Sequence, residues 1–334
     1  MKKKLAIILS LVLVFATLFM TACSGNNNSG TTEPNAASET QTFSKVKVGT
    51  GGNTGTYYAF TTAACQILKT DNYEFEVLST GGSQANIEGI EDGDYQMAIV
   101  QNDVMNYAYE GSNGFSSQIQ SFSAIGCVYP EVCQVIATKA SGIKTVADLK
   151  GKNVAVGDVG SGVYYNATQI LAAAGIDIDK DINKTAASFG DSATQLKDGS
   201  IDAAFITAGT PTTAITELAT STEVVAVDLG EDVIAKLMAD YPFYAKYEMT
   251  EKDYDFITAP VNTVAIMATF VVTNDMSEDQ AYQITKDLWE KQADIAVAHA
   301  KGKEMKTDIA ASAIGNVPLH PGAAKYYKEA GIIA

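Results

Sequence analysis

Lys47-Val48-Gly49-Thr50-Gly51-Gly52-Asn53-Thr54-Gly55-Thr56-Tyr57-Tyr58 is the stretch on which the fold turns. A short β-branched run ends in a glycine-rich loop, and the loop opens a helix. Glycine permits positive φ and lets a ligand approach the backbone. The first turn of the helix offers unpaired N–H groups and a partial positive charge. Together these make a small cup for an anion. It is not a nucleotide loop. Dinucleotide-binding spacing would put a third glycine at 54, where Thr54 stands, and a phosphate-binding P-loop would end in Gly-Lys-Ser/Thr, where the chain reads Gly55-Thr56-Tyr57. The plain alternative is a tight strand-to-helix turn. The loop hydroxyls and the tyrosine pair favour a small-molecule site.

Two further strands repeat the pattern. Residues 73–79 alternate as a strand and run into Thr80-Gly81-Gly82-Ser83, where a helix begins. Residues 96–101 form an apolar strand, and Asn102-Asp103 start the next helix. Repeated strand–helix alternation predicts a mostly parallel sheet, with ligands at the carboxyl ends of the strands. Residues 121–138 form a long β-rich run through Tyr129-Pro130, where Pro130 disfavours an unbroken central strand. Residues 144–153 read as an amphipathic helix and turn. A second unit opens at 154–157 with its own loop, Asp158-Val159-Gly160-Ser161-Gly162, and a helix to about 174. Another helix ends at Asp198-Gly199, and a strand at 203–207 leads to Thr210-Pro211, which suits a first helical turn. A strand at 224–228 follows, then a helix over 231–247, a polar stretch at 246–258, a long β run at 261–273, a helix over 277–301 and a last helix over 324–331. Ser83 opens a helix that ends at Gly93, with Ala98 five residues on in a strand; Ser192 opens a shorter helix that ends at Gly199, with Ala204 five residues on in a strand. This is either a sign of two related α/β lobes or the ordinary likeness of two helix–turn–strand units.

Residues 1–22 read as a signal segment: three lysines, an apolar core and small residues before Cys23. The apolar run is shorter than the ~20 residues of a membrane span. Met20-Thr21-Ala22-Cys23 is similar to a bacterial lipobox, so Cys23 is the candidate lipidation site. Residues 23–42 are rich in Asn, Ser, Thr and Gly and read as a flexible tether. The remainder is long for one core and predicts two lobes, 43–133 with 256–334, and 134–255.

The net charge of −16 becomes about −19 without the three leader lysines (−16 minus 3). That argues against nucleic acid and anionic lipid as partners. There is no arginine in the chain. A carboxylate ligand must therefore be held by backbone N–H groups, hydroxyls, amides or lysine. Cys65, Cys127 and Cys133 read as buried thiols. The two histidines, His299 and His320, are remote from any cysteine pair, so neither metal nor cofactor is expected. No nucleophile elbow occurs, and no residue is nominated as nucleophile or base; the expectation is a monomeric binder, not an enzyme.

Val48-Gly49-Thr50-Gly51-Gly52 with Tyr57-Tyr58, Ser79-Thr80-Gly81-Gly82-Ser83 with Asn86, Ala98-Ile99-Val100-Gln101-Asn102-Asp103, and Pro318-Leu319-His320-Pro321-Gly322-Ala323 together resemble the TAXI-type solute-binding proteins of TRAP transporters. The resemblance covers nearly all of 45–334. It implies a two-lobed type II periplasmic-binding-protein fold with hinge crossover strands, and delivery of a small carboxylate such as glutamate or 2-oxoglutarate to a TRAP permease. By the same resemblance, contacts come from Thr50, Gly51, Thr54, Thr56, Tyr57, Ser83 and Gln101 of the first lobe. Ser161, Gly162 and Thr210 follow from the second, with Tyr129 at the crossing. A receptor for an ABC importer, taking a small anion or aromatic compound, is the alternative within the fold. A lipid-anchored enzyme or sensor lobe is the alternative outside it.

Overall fold

The computed structural model describes residues 40–334; the signal segment, Cys23 and nearly all of the tether lie outside the described residues. The chain first builds β1 (Lys45–Gly49), α1 (Thr56–Leu68), β2 (Glu74–Leu78), α2 (Ser83–Glu91), β3 (Met97–Gln101) and α3 (Asn102–Glu110). β1 shows why a strand forms: Val46 and Val48 are fully buried while Lys45 and Lys47 face solvent, the period-two pattern of a pleated strand. A long strand, β4 (Phe122–Thr138), follows. Then come β5 (Asn153–Ala155), α4 (Gly162–Ala173), β6 (Asn183–Thr185), α5 (Phe189–Asp198), β7 (Ala203–Ala208), α6 (Thr213–Ala219), β8 (Val224–Ala226), α7 (Glu231–Asp240) and β9 (Ala245–Met249). The second long strand, β10 (Val261–Thr273), precedes α8 (Glu278–Glu290), α9 (Gln292–Ala298), α10 (Thr307–Ala310) and α11 (Pro321–Glu329).

The strands make one mixed sheet in the order β2-β1-β3-β10-β4-β7-β5-β6, with β8 beside β4 and β9 beside β10. The flanks are parallel, as the alternation predicts: β1 pairs β2 and β3, and β5 pairs β6 and β7. The long strands add antiparallel pairs in the middle. The same connectivity occurs twice. β1-α1-β2-α2-β3 places its first strand between the other two, and so does β5-α4-β6-α5-β7.

Apolar packing divides where the long strands cross the sheet. Two clusters take β4 residues up to Tyr129 and β10 residues from Ala268 on. Two others take Val132 and Cys133 onward and β10 up to Ile266. Residues 256–266 therefore pack with the second group: Ile257, Val264 and Ile266 belong to its cores.

Several elements differ from the sequence reading, each for a local reason. Pro130 does not interrupt β4. Its register partner Met267 sends its N–H to Asn102 Oδ1 at 3.0 Å, on the side away from β4. The pair is thus of the non-hydrogen-bonded type, and the proline owes β10 no donor. The helix expected over 144–153 is a single 3₁₀ turn, Val146–Leu149, closed by the Thr145–Asp148 capping box. The helix expected over 231–247 stops at Asp240, since the residue before Pro242 is driven out of the helical region. Ala245–Met249 then pairs with β10. The helix expected over 277–301 breaks at Lys291, whose ψ of 14° lies outside helical geometry, and the turn brings Ile295 into the first core. Pro211 stands before α6, whose N-cap is Thr212. The three cysteines are free and buried.

Candidate functional site

Six strand ends meet at one cleft. Its wall comes from the β1–α1 loop (Gly51, Gly52, Gly55, Thr56, Tyr57), the β2–α2 loop (residues 80–83) and Gln101 at the end of β3. The other half supplies Asp158 and residues 161–163 after β5, Ser188 and Phe189 after β6, and Thr207 and Ala208 of β7. Glu131 enters from β4. The cleft encloses a cavity of about 60 Å³, open to solvent at its mouth, which suits a compact ligand.

The helices supply donors. Gly55, Gly82 and Ser161 are the N-caps of α1, α2 and α4, and none of them makes a side-chain cap. Apart from Ala85 N–H of α2, which the Gly160 carbonyl caps, the first-turn N–H groups beside the cleft are left without a capping oxygen, and the partial positive charge of each helix end adds to them. Gly82 has φ +109°, a conformation that favours glycine, and it places the start of α2 against Ser161.

The side chains lock this arrangement. The Tyr57 hydroxyl donates to Glu131 Oε2 at 2.6 Å. The Gln101 N–H donates to Ser83 Oγ at 3.0 Å. Thr56 Oγ1 donates across the cleft to the Gly209 carbonyl at 2.8 Å, and Ser161 Oγ donates to the Asp158 carbonyl at 2.7 Å. Burial holds the Glu131 carboxyl well above the usual carboxylate range. The Tyr57 hydrogen bond pulls the other way, the Asp103 charge adds to the rise, and Lys301 opposes it. Lys301 is itself buried and paired with Glu304 Oε1 at 2.7 Å.

Beside the cleft, a polar network joins the two halves. Asn166 Nδ2 of α4 donates to Asp103 Oδ2 of α3 at 3.0 Å and to the Tyr244 hydroxyl at 3.0 Å. Tyr244 donates to Gln169 Oε1 at 2.6 Å, and Gln169 Nε2 donates to the Tyr107 hydroxyl at 3.0 Å. Burial pushes the Asp103 carboxyl up to about 7, against the hydrogen bonds from Val104 N–H and Asn166 that lower it. Across the cleft mouth, the Tyr165 hydroxyl donates to Gln84 Oε1 at 2.8 Å, and the Ala85 N–H donates to the Gly160 carbonyl at 3.1 Å.

Of the residues named from the sequence, the structure brings Gly51, Thr56, Tyr57, Ser83, Gln101, Ser161 and Gly162 together in the wall. Four stand outside it. Thr50 is fully buried and its hydroxyl donates to the Leu78 carbonyl at 2.7 Å, tying β1 to β2. Thr54 sits on the far side of its loop, where its carbonyl accepts from Ala214 N–H at 3.3 Å. Tyr129 packs edge-on to Phe60 at 4.9 Å inside the first core. The Thr210 hydroxyl donates to Asp253 Oδ1 at 2.5 Å. Sequence reasoning missed Glu131, Ser188, Phe189 and Thr207. Only Glu131 carried a signal: it is the one charged residue in the 17-residue strand Phe122–Thr138.

A two-halved sheet crossed by two long strands, with its cleft at the strand ends, is the architecture of periplasmic binding proteins. Among solved structures it is similar to the alkanesulfonate-binding protein SsuA from Xanthomonas axonopodis pv. citri bound to MOPS. The identity is 14%, the TM-score 0.50, and the match covers 88% of this chain and 96% of that one. It is also similar to the ligand-binding component of an ABC-type import system from Staphylococcus aureus with zinc bound (10% identity, TM-score 0.50, 88% and 93% covered). At these identities the likeness is one of fold. Residues 48–331 match the NMT1-like family, and the chain belongs to it.

Proposed function

We propose that the chain is an extracytoplasmic solute-binding receptor, which captures a small carboxylate such as glutamate or 2-oxoglutarate between two lobes and hands it to a membrane permease. The observation that carries this reading is the cleft itself: uncapped helix N-termini from both halves of the sheet converge on one small cavity. The lobes follow the division of the apolar clusters, with residues 256–266 moving with 134–255, and β4 and β10 form the hinge. Seven of the eleven residues named from the sequence, with Glu131, make up the contact set. No catalytic residue and no cofactor is invoked. The receptor acts as a monomer, without nucleic acid. Among the described residues no helix is long and apolar enough to cross a membrane. Attachment through a lipid on Cys23, after removal of 1–22, completes the reading.

The permease is of the ABC class on the strength of the fold neighbours, one of which is described as part of an ABC-type import system. A TRAP permease is the second reading, favoured by the four motifs at 48–58, 79–86, 98–103 and 318–323. Uptake by vesicles holding the cognate permease separates them. ATP-driven uptake supports the first and sinks the second; uptake driven by a sodium gradient without ATP does the reverse. The receptor reading is tested by a thermal-shift screen of the purified chain against carboxylates, amino acids, sulfonates and inorganic anions. A ligand at 100 times its Kd adds about 2.7 kcal/mol of stability. No shift with any of them would remove the small-solute reading.

A further inference from the structure

Resting on the receptor reading above, we infer that the cleft is built for a compact zwitterion, whose carboxylate meets the helix N-termini and whose ammonium group is held by Glu131 and Gln101. The donors are those of α1, α2 and α4, whose N-caps make no side-chain cap. The acceptors are the less expected half. Glu131 is 1% exposed and lines the cavity. Among the described residues only Tyr57 donates to its carboxyl group, at Oε2, which leaves Oε1 without a donor. Gln101 is 2% exposed and lines the same cavity, and its Oε1 is buried with no hydrogen-bond partner. A Cβ on Gly162 would collide with this amide, so the Gln101 head lies directly against the first residue of α4.

A buried acceptor without a donor is expensive, and a native structure resolves it with a ligand or water. One such acceptor, Gln101 Oε1, beside a carboxyl oxygen of Glu131 that has no donor among the described residues, asks for a group with several donors and a positive charge. An ammonium has three donors and no acceptor. The protein does not supply it: Lys301, the cation that acts on Glu131, is tied to Glu304 at 2.7 Å. A purely anionic ligand would offer neither acceptor a donor. Donor and acceptor ends border one small cavity, so the two charges of the ligand are close together, as in an α-amino acid.

The test uses matched compounds. The purified chain is screened by thermal shift and titration calorimetry against the twenty common amino acids, each beside its 2-keto acid and its des-amino acid. The expected result is a shift with one or more amino acids that both counterparts fail to give. Glu131→Gln, which keeps the shape and an acceptor for Tyr57, should then weaken that amino acid on the order of 100-fold, the effect of removing one partner of a buried charge pair. Its unliganded melting point should not fall, since a buried ionisable group has been made neutral. A keto or des-amino acid that binds as well as its amino acid overturns the ammonium site and leaves the receptor standing. So does full amino-acid affinity in Glu131→Gln. No shift with any compound overturns the ammonium site, and no shift with sulfonates or inorganic anions either overturns the receptor reading with it.

Discussion

Asp103→Asn should stabilise this protein at pH 8, although it removes a hydrogen-bonded carboxylate from a helix first turn. Asp103 is fully buried, at the second position of α3. Its Oδ1 accepts from Val104 N–H at 2.8 Å and its Oδ2 from Asn166 at 3.0 Å. No cation touches it, and the titratable groups that feel its charge are Tyr107, Glu131, Cys133, Tyr165 and Tyr244. Desolvation wins over the hydrogen bonds, and the carboxyl rises from 3.8 to about 7. Between those two values the native state keeps a proton that the unfolded chain has released. Stability therefore falls as pH rises through that window and is flat above it. A rise of about three pH units is worth about 4 kcal/mol above pH 7. Asparagine removes this penalty and keeps the bond from Val104. Its new Nδ2 can donate to Asn166 Oδ1, which is buried and unpartnered, once the Asn166 amide turns over. That turn withdraws the donor Asn166 now offers Tyr244 and leaves the turned Asn166 N–H groups without an acceptor, which costs about 2 kcal/mol. The net gain at pH 8 is then about 2 kcal/mol, or ~4 °C at roughly 2 °C per kcal/mol for a domain of this size. Melting curves of both proteins from pH 4 to 8 check it: the variant should melt a few degrees lower near pH 4 and overtake the parent as pH rises. A pH-independent difference, or a lower melting point for the variant at pH 8, would refute the argument.

Three further outcomes follow from single contacts. Gly162→Ala adds a Cβ that collides with the Gln101 amide. An overpacking cost of ~1–3 kcal/mol at this contact between the two halves should weaken ligand about 10-fold or more, while the better helix propensity of alanine, worth ~1 kcal/mol, offsets part of the cost to the fold; unchanged affinity in calorimetry would contradict the contact. Tyr327→Phe leaves Trp289 Nε1–H and the Ile125 carbonyl without their buried partner; it should cost about 1–3 kcal/mol in denaturant unfolding and shift the emission of the single tryptophan, and no change in either would refute the network. The thiols of Cys65, Cys127 and Cys133 are buried, that of Cys127 pushed up to about 12; at pH 8 the native Cys23→Ser protein should react with a disulfide reagent only as fast as it unfolds, and labelling at the rate of a free thiol would show one of the three exposed.

The flanking strands and the loops between strand and helix could be read directly, because they rest on local signals: β-branched alternation, glycine turns and polar helix starts. Long-range choices could not. Residues 245–249 look like the tail of α7, and only pairing with Val261–Ala265 makes them a strand. The hydroxyls of Thr50 and Thr210 sit in loops rich in site residues, yet each donates to a group away from the cleft, to Leu78 and Asp253. Which way a loop hydroxyl turns depends on packing with segments 28 and 43 residues away. Position in a loop does not decide it.

The sequence echo between Ser83 and Ser192 points at a real duplication but aligns it three residues off, since α5 begins at Phe189. The shared element is the start of a helix at the end of a parallel strand. It is a backbone feature, begun by Ser83 in one copy and Phe189 in the other, though the Ser188 hydroxyl caps α5 by accepting from Asp191 N–H at 3.2 Å and α2 has no such cap. Donors from the backbone can therefore be duplicated with almost no trace in the side chains, and a glycine loop foretells them. The acceptors have no second copy. Glu131 lies on the crossing strand, outside both repeats, and Gln101 at the end of β3 faces the other half across Gly162. On the zwitterion proposal, affinity for a negative end belongs to the duplicated backbone, and choice among solutes falls to the unrepeated residues. A substitution at Glu131 then alters the charge of the cavity while every helix N-terminus stays where it was.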